Sequence, residues 1–302
     1  MNDQILKFFE FIYDRQLIYY KKEVLKQPSP WSDDKVFQLY KSCNVYRELD
    51  RGSKYIINTI CKTGLSDDTK LFNIIAYRFF NLDQTFDGRV FNTILFHRGF
   101  NFERLDAELT EKSKTQSIWN NTYLVLPAIW DKNIPNRKHT QVLWMLKWLS
   151  ERMDEFLWDF KSKKTAEDQI LKLREIPLVG PFLAGQIMLD LGYAKVTKFS
   201  SNDWCTIGPG SWKGLKIIFG EDSINDSNWL NRIKYLAMIQ FEMFSFLKDV
   251  KRKDWWAINN KDPFFKSDFL SLMDIQNSLC EFRKYHYLSQ GKGKKRYYHE
   301  RK

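Results

Sequence analysis

Apolar side chains recur three or four positions apart along most of this chain, and strict alternation of apolar and polar residues is almost absent. The first spacing follows one face of an α-helix, whereas alternation marks a half-buried strand, so the pattern predicts an all-α fold. The segment RKHTQVLWMLKWLSERMDEFLWDFK predicts a long amphipathic helix. Its apolar stripe consists of Val142, Leu146, Leu149, Met153, Phe156 and Phe160.

The helical segments predict a bundle of two lobes followed by a tail. Residues 1–160 are expected to form an N-terminal helical lobe, and residues 161–290 are expected to form a second lobe. The last residues, 291–302, read GKGKKRYYHERK. Because these residues offer little to bury, they predict a basic tail that contacts phosphate or only aids solubility.

The charge of the chain narrows its class of partner. It carries 48 Lys and Arg against 37 Asp and Glu, a net charge of +11. This surplus favours a polyanionic partner, with nucleic acid ranked before an anionic membrane surface. The four cysteines form no Cys-x-x-Cys pair and do not cluster with histidines, so the sequence predicts no metal site. Charged residues interrupt the apolar N-terminus, MNDQILKFFEFIYDRQ, which argues against a signal peptide and for an intracellular protein, cytoplasmic or nuclear.

The stretch Ile176–Ile187, IPLVGPFLAGQI, places a short connection between two predicted helices. Gly180 permits a positive φ and Pro181 suits the first turn of a helix, so the turn would expose amide groups to which phosphate can bind. One interpretation is a helix-hairpin-helix that grips the DNA backbone through Val179, Gly180 and Phe182. The same residues suit an ordinary αα-hairpin packed in a core, and the sequence leaves both interpretations open.

Asp203 lies after this hairpin, in a polar loop that leads to Gly208 and Gly210. The arrangement resembles the helix-hairpin-helix DNA glycosylases, in which an aspartate after the hairpin is catalytic. The two glycines are candidate backbone contacts to DNA. Asp203 also suits the N-cap of the next helix, a common role for an aspartate. A nucleotide-binding P-loop is excluded, because the stretch lacks the Gly-Lys-Ser/Thr ending and a preceding apolar strand.

Three further segments mix amides, carboxylates and arginines at helical spacing. Taken singly, each suits a solvated face or an internal salt bridge. Together they are typical of the wall of a cleft for an anionic substrate. The segments contribute Asn44, Arg47, Asp50 and Arg51; Arg78 and Asn81; and Asp274, Gln276, Asn277 and Glu281.

A resemblance to a known family is carried by seven blocks in a fixed order: FIYDRQLIYYKK, PWSDD, NVYRELDR, YRFFN, IPLVGPFLAGQIMLDL, GPGSWKGL and DIQNSLCEFRKY. Together they resemble the helical domain associated with 5-hydroxymethyluracil DNA kinases. That domain is similar to the α-glutamyl/putrescinyl thymine pyrophosphorylases, regarded as amino-acid:DNA transferases of phage base-hypermodification systems. The resemblance covers nearly the whole chain apart from the tail. It implies a DNA-glycosylase-like helical fold and, for a phage-encoded protein, a place in the host cytoplasm.

The resemblance also implies a reaction on DNA. In that pathway a kinase converts 5-hydroxymethyluracil in DNA into a pyrophosphorylated base, and an amine then displaces pyrophosphate. Since this chain shows no nucleotide-binding lobe, it would depend on a separate P-loop kinase and could itself carry out the displacement, with Mg²⁺ arriving on the pyrophosphate. The implied roles are a general base (Asp203, Glu281 or Asp50), a pyrophosphate grip (Arg47, Arg51, Arg78 and Lys213) and hydrogen bonds to the uracil edge (Asn44, Gln276 and Asn277).

Two other functions fit the same residues. A base-excising glycosylase would use Asp203 to stabilise an oxocarbenium-like sugar. A non-catalytic DNA-binding subunit would present the base to the separate kinase.

Overall fold

The structure, a computed structural model, describes residues 3–61, 64–86, 99, 101–120, 132–251 and 269–293. Every regular element within these ranges is helical, which confirms the predicted all-α fold. No helix in the described ranges is both long enough and apolar enough to cross a membrane. The predicted basic tail lies outside the described residues after Gly293.

The α-helices are numbered here in chain order. They are α1 (Asp3–Tyr19), α2 (Lys35–Leu39), α3 (Arg51–Tyr55), α4 (Asp67–Phe80), α5 (Asp83–Phe86), α6 (Phe102–Thr115), α7 (Lys138–Ser150), α8 (Met153–Ser162), α9 (Ala166–Leu173), α10 (Pro181–Tyr193), α11 (Pro209–Phe219), α12 (Trp229–Lys251) and α13 (Leu272–Ser289). Two π-helical segments, Tyr20–Val24 and Ile56–Ile60, prolong α1 and α3, and short 3-10 segments span Arg47–Leu49 and Glu221–Ser223.

The chain divides into two compact units. The first unit consists of Met1–Asp50 together with Cys205–Lys302, and the second unit is Arg51–Trp204. This division does not follow the predicted order of two consecutive lobes, because the second unit is one continuous stretch inserted between the two segments of the first. The predicted boundary at residue 160 falls within α8, inside the second unit.

The first unit is built around an aromatic core that joins its two segments. The rings of Phe8 and Phe9, both fully buried, lie on α1. Phe8 packs edge-on against Phe282 of α13, with the ring centroids 5.5 Å apart, and Phe9 packs against Phe244 of α12 at 5.3 Å. Because such rings remove a large apolar area from water, these contacts stabilise the pairing of the early and late segments.

Glycine brings α11 and α13 unusually close together. A Cβ atom at Gly214 would lie 2.3 Å from the backbone oxygen of Leu279, and one at Gly210 would lie 2.3 Å from the Sγ of Cys280. At Gly214 a side chain would require the helices to move apart, because the backbone oxygen cannot rotate, whereas at Gly210 the Cys280 side chain would have to move. Gly210 therefore packs closely against α13, and its contact with DNA stays a prediction.

Helix α4 is the central helix of the second unit. Every residue from Leu71 to Phe80 is buried, and the helix packs against α7, α8 and α10. It ends at Asn81, whose backbone is left-handed with φ 49° and ψ 37°. Asparagine tolerates this conformation better than most residues, so Asn81 ends the helix as well as being a predicted substrate contact.

The long helix predicted from residue 137 to residue 161 is in fact two helices, α7 and α8. The break falls at Arg152, whose φ of −119° and ψ of 9° are not helical. All six residues of the predicted stripe are nevertheless buried. The stripe continues across the break, which explains why the apolar spacing alone did not reveal it.

Replacing Gly214 by alanine tests the contact between α11 and α13. The new methyl group would meet a backbone oxygen, which cannot rotate away, so the free energy of unfolding should fall by about 1–3 kcal/mol. Gly192→Ala is the matched control, because its Cβ would lie 3.9 Å from its nearest neighbour, the Phe199 carbonyl oxygen. Urea denaturation of both variants measures the difference, and equal stability would contradict the close helix contact.

Candidate functional site

The stretch Ile176–Ile187 forms most of the connection between α9 and α10 and the first half of α10. The expected positive φ is not found at Gly180, whose φ is −80°, but at Leu178, whose φ is 68°. Pro181 is the first residue of α10, as predicted. Gly180 is exposed, and a Cβ atom there would meet no atom within 4 Å. The start of α10 is therefore open to a molecule outside the protein.

The other two predicted DNA contacts in this stretch, Val179 and Phe182, differ in exposure. Val179 is buried, whereas 58% of Phe182 is exposed. Since Gly180 has no side chain to cap α10, the partial positive charge of the helix N-terminus is not offset by a capping group, and a phosphate oxygen is favoured there. Val179 thus belongs to the core, and Gly180 and Phe182 are the surface residues. An ordinary αα-hairpin shares this geometry, so the helix-hairpin-helix assignment stays a prediction.

Asp203 closes a short exposed turn. Its Oδ2 atom accepts the backbone N–H of Ser200 at 3.0 Å, and its own N–H donates to the Ser200 carbonyl at 2.9 Å. The N-cap of α11 is Gly208, so the helix-capping role considered for Asp203 is wrong. Its carboxylate remains at the surface, and its catalytic role stays a prediction.

Ser211 organises the start of α11. Its hydroxyl oxygen accepts the N–H of Gly208 at 3.1 Å and the side-chain amide of Gln276 at 2.8 Å. Gln276 therefore ties α13 to α11, and a hydrogen bond to a uracil edge would compete with that contact. Lys213, two residues further along α11, is exposed.

A network that we call the Arg47 cluster brings together Asn44, Arg47, Asp50 and Asn277 in the first unit. The Arg47 guanidinium forms an ion pair with Asp50 and donates to the Asn277 side-chain oxygen at 3.4 Å. Asn277 in turn donates to the Asn44 carbonyl at 3.3 Å, and the Asn44 N–H donates to Asp50 at 3.1 Å. Two of the predicted polar segments thus meet, but their groups largely satisfy one another.

Two carboxylates of α13 border this cluster. The buried Asp274 accepts from the Ser271 hydroxyl at 2.6 Å and from the Arg47 backbone N–H at 2.8 Å, and burial raises the pKa of Asp274. Glu281, also buried, pairs with Lys284 and accepts the Cys43 N–H at 3.3 Å. The Glu281 carboxylate raises the pKa of the Cys43 thiol, so this cysteine is protonated and poorly nucleophilic at neutral pH.

Arg78 and Asp190 form a buried ion pair in the second unit. The Arg78 side chain is 3% exposed and the Asp190 side chain is wholly buried. The guanidinium contacts both carboxylate oxygens, one of them at 2.7 Å, and also donates to the Ser53 hydroxyl at 3.2 Å and to Asn81 at 3.5 Å. The pair joins α4 to α10, and its geometry is that of a structural link.

Arg51 begins α3 and belongs to the second unit. It donates to Asp83 at 2.6 Å, and the hydroxyl of Tyr77 donates to the other oxygen of that carboxylate at 2.6 Å. Burial, followed by the bond to Asp83, raises the pKa of Tyr77. The expectation that Arg51 shares a face with Arg47 is wrong, because the backbone between them is a 3-10 segment followed by the start of a new helix.

Sequence reasoning missed Asp83 and Asp190, the partners of two predicted arginines. A signal for Asp190 was available, since it is the lone carboxylate in the apolar run FLAGQIMLDLGY. Buried charges need a partner, so such a carboxylate predicts a buried cation elsewhere in the fold. No comparable signal marks Asp83, which begins the short helix α5.

Comparison with known proteins identifies the class of this chain. The family described as the helical domain of 5-hmdU (5-hydroxymethyl-2′-deoxyuridine) DNA kinase matches residues 3–295. The chain therefore belongs to that family, as its sequence blocks predicted. A 5-hmdU DNA kinase from Bacillus phage SP10 is 30% identical over 238 residues, which cover 73% of this chain and 37% of that kinase. The chain thus spans well under half the length of this relative. No solved structure is significantly similar to it.

Removing one partner of the buried ion pair tests its importance. Asp190→Asn leaves the Arg78 charge without compensation and should lower the free energy of unfolding by about 3–5 kcal/mol. The double variant Arg78→Met with Asp190→Leu removes both charges and should recover most of that loss.

Arg51→Met is the matched control for this experiment. Its side chain is 46% exposed in the pair with Asp83, so its loss should cost less than about 1 kcal/mol. Urea denaturation reports all of these values. An Asp190→Asn protein as stable as the parent would show that α4 and α10 do not depend on the pair.

Proposed function

We propose that this chain binds DNA and presents a 5-hydroxymethyluracil base to a P-loop kinase on a separate polypeptide. Membership of the 5-hmdU DNA kinase helical-domain family and the net charge of +11 support this proposal. The Bacillus phage SP10 relative is named as a kinase, and this chain matches 37% of its length. In this proposal the chain presents the base, and the P-loop kinase carries out phosphoryl transfer. The protein would work wherever the modified DNA is held inside the cell.

The pairing of the arginines carries this proposal. Three of the four members of the predicted pyrophosphate grip, Arg47, Arg51 and Arg78, already form ion pairs with carboxylates. Pyrophosphate could bind them only by displacing those carboxylates, and at Arg78 it would have to enter the core. A protein that presents DNA to another active site needs no such grip. Its contact with the strand can come from the open start of α10 instead.

Two exposed side chains favour amine transfer as a second candidate function. Asp203 and Lys213 are exposed, and neither forms an ion pair with another described residue. In this reaction the amine nitrogen bonds to the methylene carbon of the base, the bond from that carbon to the pyrophosphate oxygen breaks, and the amine proton passes to a carboxylate such as Asp203. Any Mg²⁺ would arrive on the pyrophosphate. Base excision would use the same carboxylate but break the glycosidic bond.

Nucleoside mass spectrometry separates these functions. The chain is incubated with DNA that contains 5-hydroxymethyluracil, with ATP and a primary amine, and with or without a 5-hmdU DNA kinase. If the chain presents the base, the nucleosides stay unchanged with the chain alone. With the kinase added, phosphorylation is faster than with the kinase alone. An amine adduct on pyrophosphorylated DNA would establish transfer, and an abasic site would establish excision. No effect on the kinase would overturn presentation.

DNA binding itself is tested at Gly180. Gly180→Glu adds a carboxylate where a phosphate would approach and should weaken binding about tenfold, whereas Gly180→Ala adds only a methyl group to open space and should change it less than twofold. Fluorescence anisotropy with a labelled oligonucleotide measures both. Parent affinity should also fall steeply between about 50 and 200 mM salt, because binding releases counterions. Equal affinities for the two variants would place the DNA elsewhere on the protein.

Asp203→Asn tests the second candidate. The amide keeps the acceptor oxygen that receives the Ser200 N–H, so circular dichroism and DNA affinity should match the parent. Turnover of pyrophosphorylated DNA should fall about a hundredfold or more if the carboxylate takes the proton. Ser200→Ala retains the backbone N–H to Asp203 but removes the hydroxyl that accepts the Asn202 N–H, so it is the control for a perturbed turn with an intact carboxylate. Turnover equal to the parent would leave Asp203 with a structural role only.

A further inference from the structure

A cavity of about 290 Å³ lies in the second unit, and its lining includes none of the paired arginines. The last turns of α10 form one side of it, through Gly192 and Tyr193, and the segment that follows α10 forms the other, through Lys198, Phe199 and Trp204. The volume is near the lower end of the range for small-molecule sites, about 300–1,000 Å³, so the cavity suits one compact ligand.

Its lining combines aromatic surface with a single cation. Tyr193, Phe199 and Trp204 are among its lining residues, so a planar heterocycle bound there would contact aromatic side chains. The Lys198 ammonium lies 5.3 Å from the centre of the Phe199 ring and forms no ion pair with a described carboxylate. Unlike the arginines Arg47, Arg51 and Arg78, this cation can accept an anionic group without displacing a carboxylate.

Trp204 adds a hydrogen-bond donor that calls for an acceptor. The residue is 3% exposed, and its indole N–H meets no acceptor in the part of the chain that the structure describes. A buried donor without a partner is costly, and such groups are rare in folded proteins. A carbonyl oxygen of a bound heterocycle would satisfy it.

We propose that this cavity binds a single pyrimidine nucleotide, with the base among the three rings, a base carbonyl on the Trp204 N–H and the phosphate on Lys198. The inference deepens the proposed function, since it assigns a place for the presented base. The nucleotide can be free in solution or part of a DNA strand, because the recognised groups are the same in both.

The Trp204 indole N–H gives a direct readout. In a ¹⁵N-indole-labelled chain, which has 11 tryptophans, the Trp204 signal is the one that Trp204→Phe removes. The probes are 5-hydroxymethyl-2′-deoxyuridine monophosphate, a single-stranded oligonucleotide with one 5-hydroxymethyluracil, and inorganic phosphate. The proposal expects the signal to shift with at least one of the first two probes. A shift with both, with the oligonucleotide alone, or with the monophosphate alone identifies the natural source of the nucleotide.

Lys198→Ala tests the phosphate contact, since it should weaken binding of the shifting probe about tenfold by removing one charge-assisted contact. Trp158→Phe, which alters a 73% exposed tryptophan of α8, should leave that affinity unchanged. An unmoved Trp204 signal with both nucleotide probes would overturn the proposal, as would an equal shift with inorganic phosphate. If anisotropy shows DNA binding but the Trp204 signal does not move, only this inference is overturned. If the chain does not bind DNA at all, the proposed function is overturned.

Discussion

The ion pair between Arg78 and Asp190 is the interaction on which the second unit depends. A charge removed from water must have a partner at close range, and only a narrow range of positions of α4 against α10 meets that requirement. Helix α10 then carries Gly180 at its exposed start and Gly192 and Tyr193 in the cavity wall near its end. One buried contact therefore sets the placement of the open helix N-terminus and of the cavity.

The requirement that a buried charge has a partner also changes the interpretation of the predicted polar residues. A row of arginines and amides predicts an anion site only while the arginines lack carboxylate partners. Here Asp50, Asp83 and Asp190 supply those partners. The charge that remains available lies on exposed lysines such as Lys198 and Lys213 and at the start of α10. A DNA-presenting role requires no more than this, whereas pyrophosphate displacement would have to rely on exposed cations of this kind.

The all-α fold and the buried helix stripes were predictable from the sequence because both depend on the local spacing of apolar residues. The family was predictable because it depends on sequence blocks in a fixed order. The stripe from Val142 to Phe160 is buried as predicted, although it spans two helices. Pairings between distant residues were not predictable. Arg78 meets a carboxylate 112 positions away, and the Arg47 N–H meets one 227 positions away. The close helix contact at Gly214 was not predictable either, since nothing in the local sequence shows that a neighbouring helix will approach its α-carbon.

The inserted position of the second unit sets an order of events during synthesis. Arg51–Trp204 is continuous, so it can fold while the ribosome is still making the late segment of the first unit. Phe8 and Phe9 must wait for Phe282 and Phe244. During that interval α1 is a nascent apolar helix without its partners, the kind of surface that chaperones hold and that aggregates when they do not. A premature stop ahead of α12 would release a complete second unit tethered to that unprotected helix.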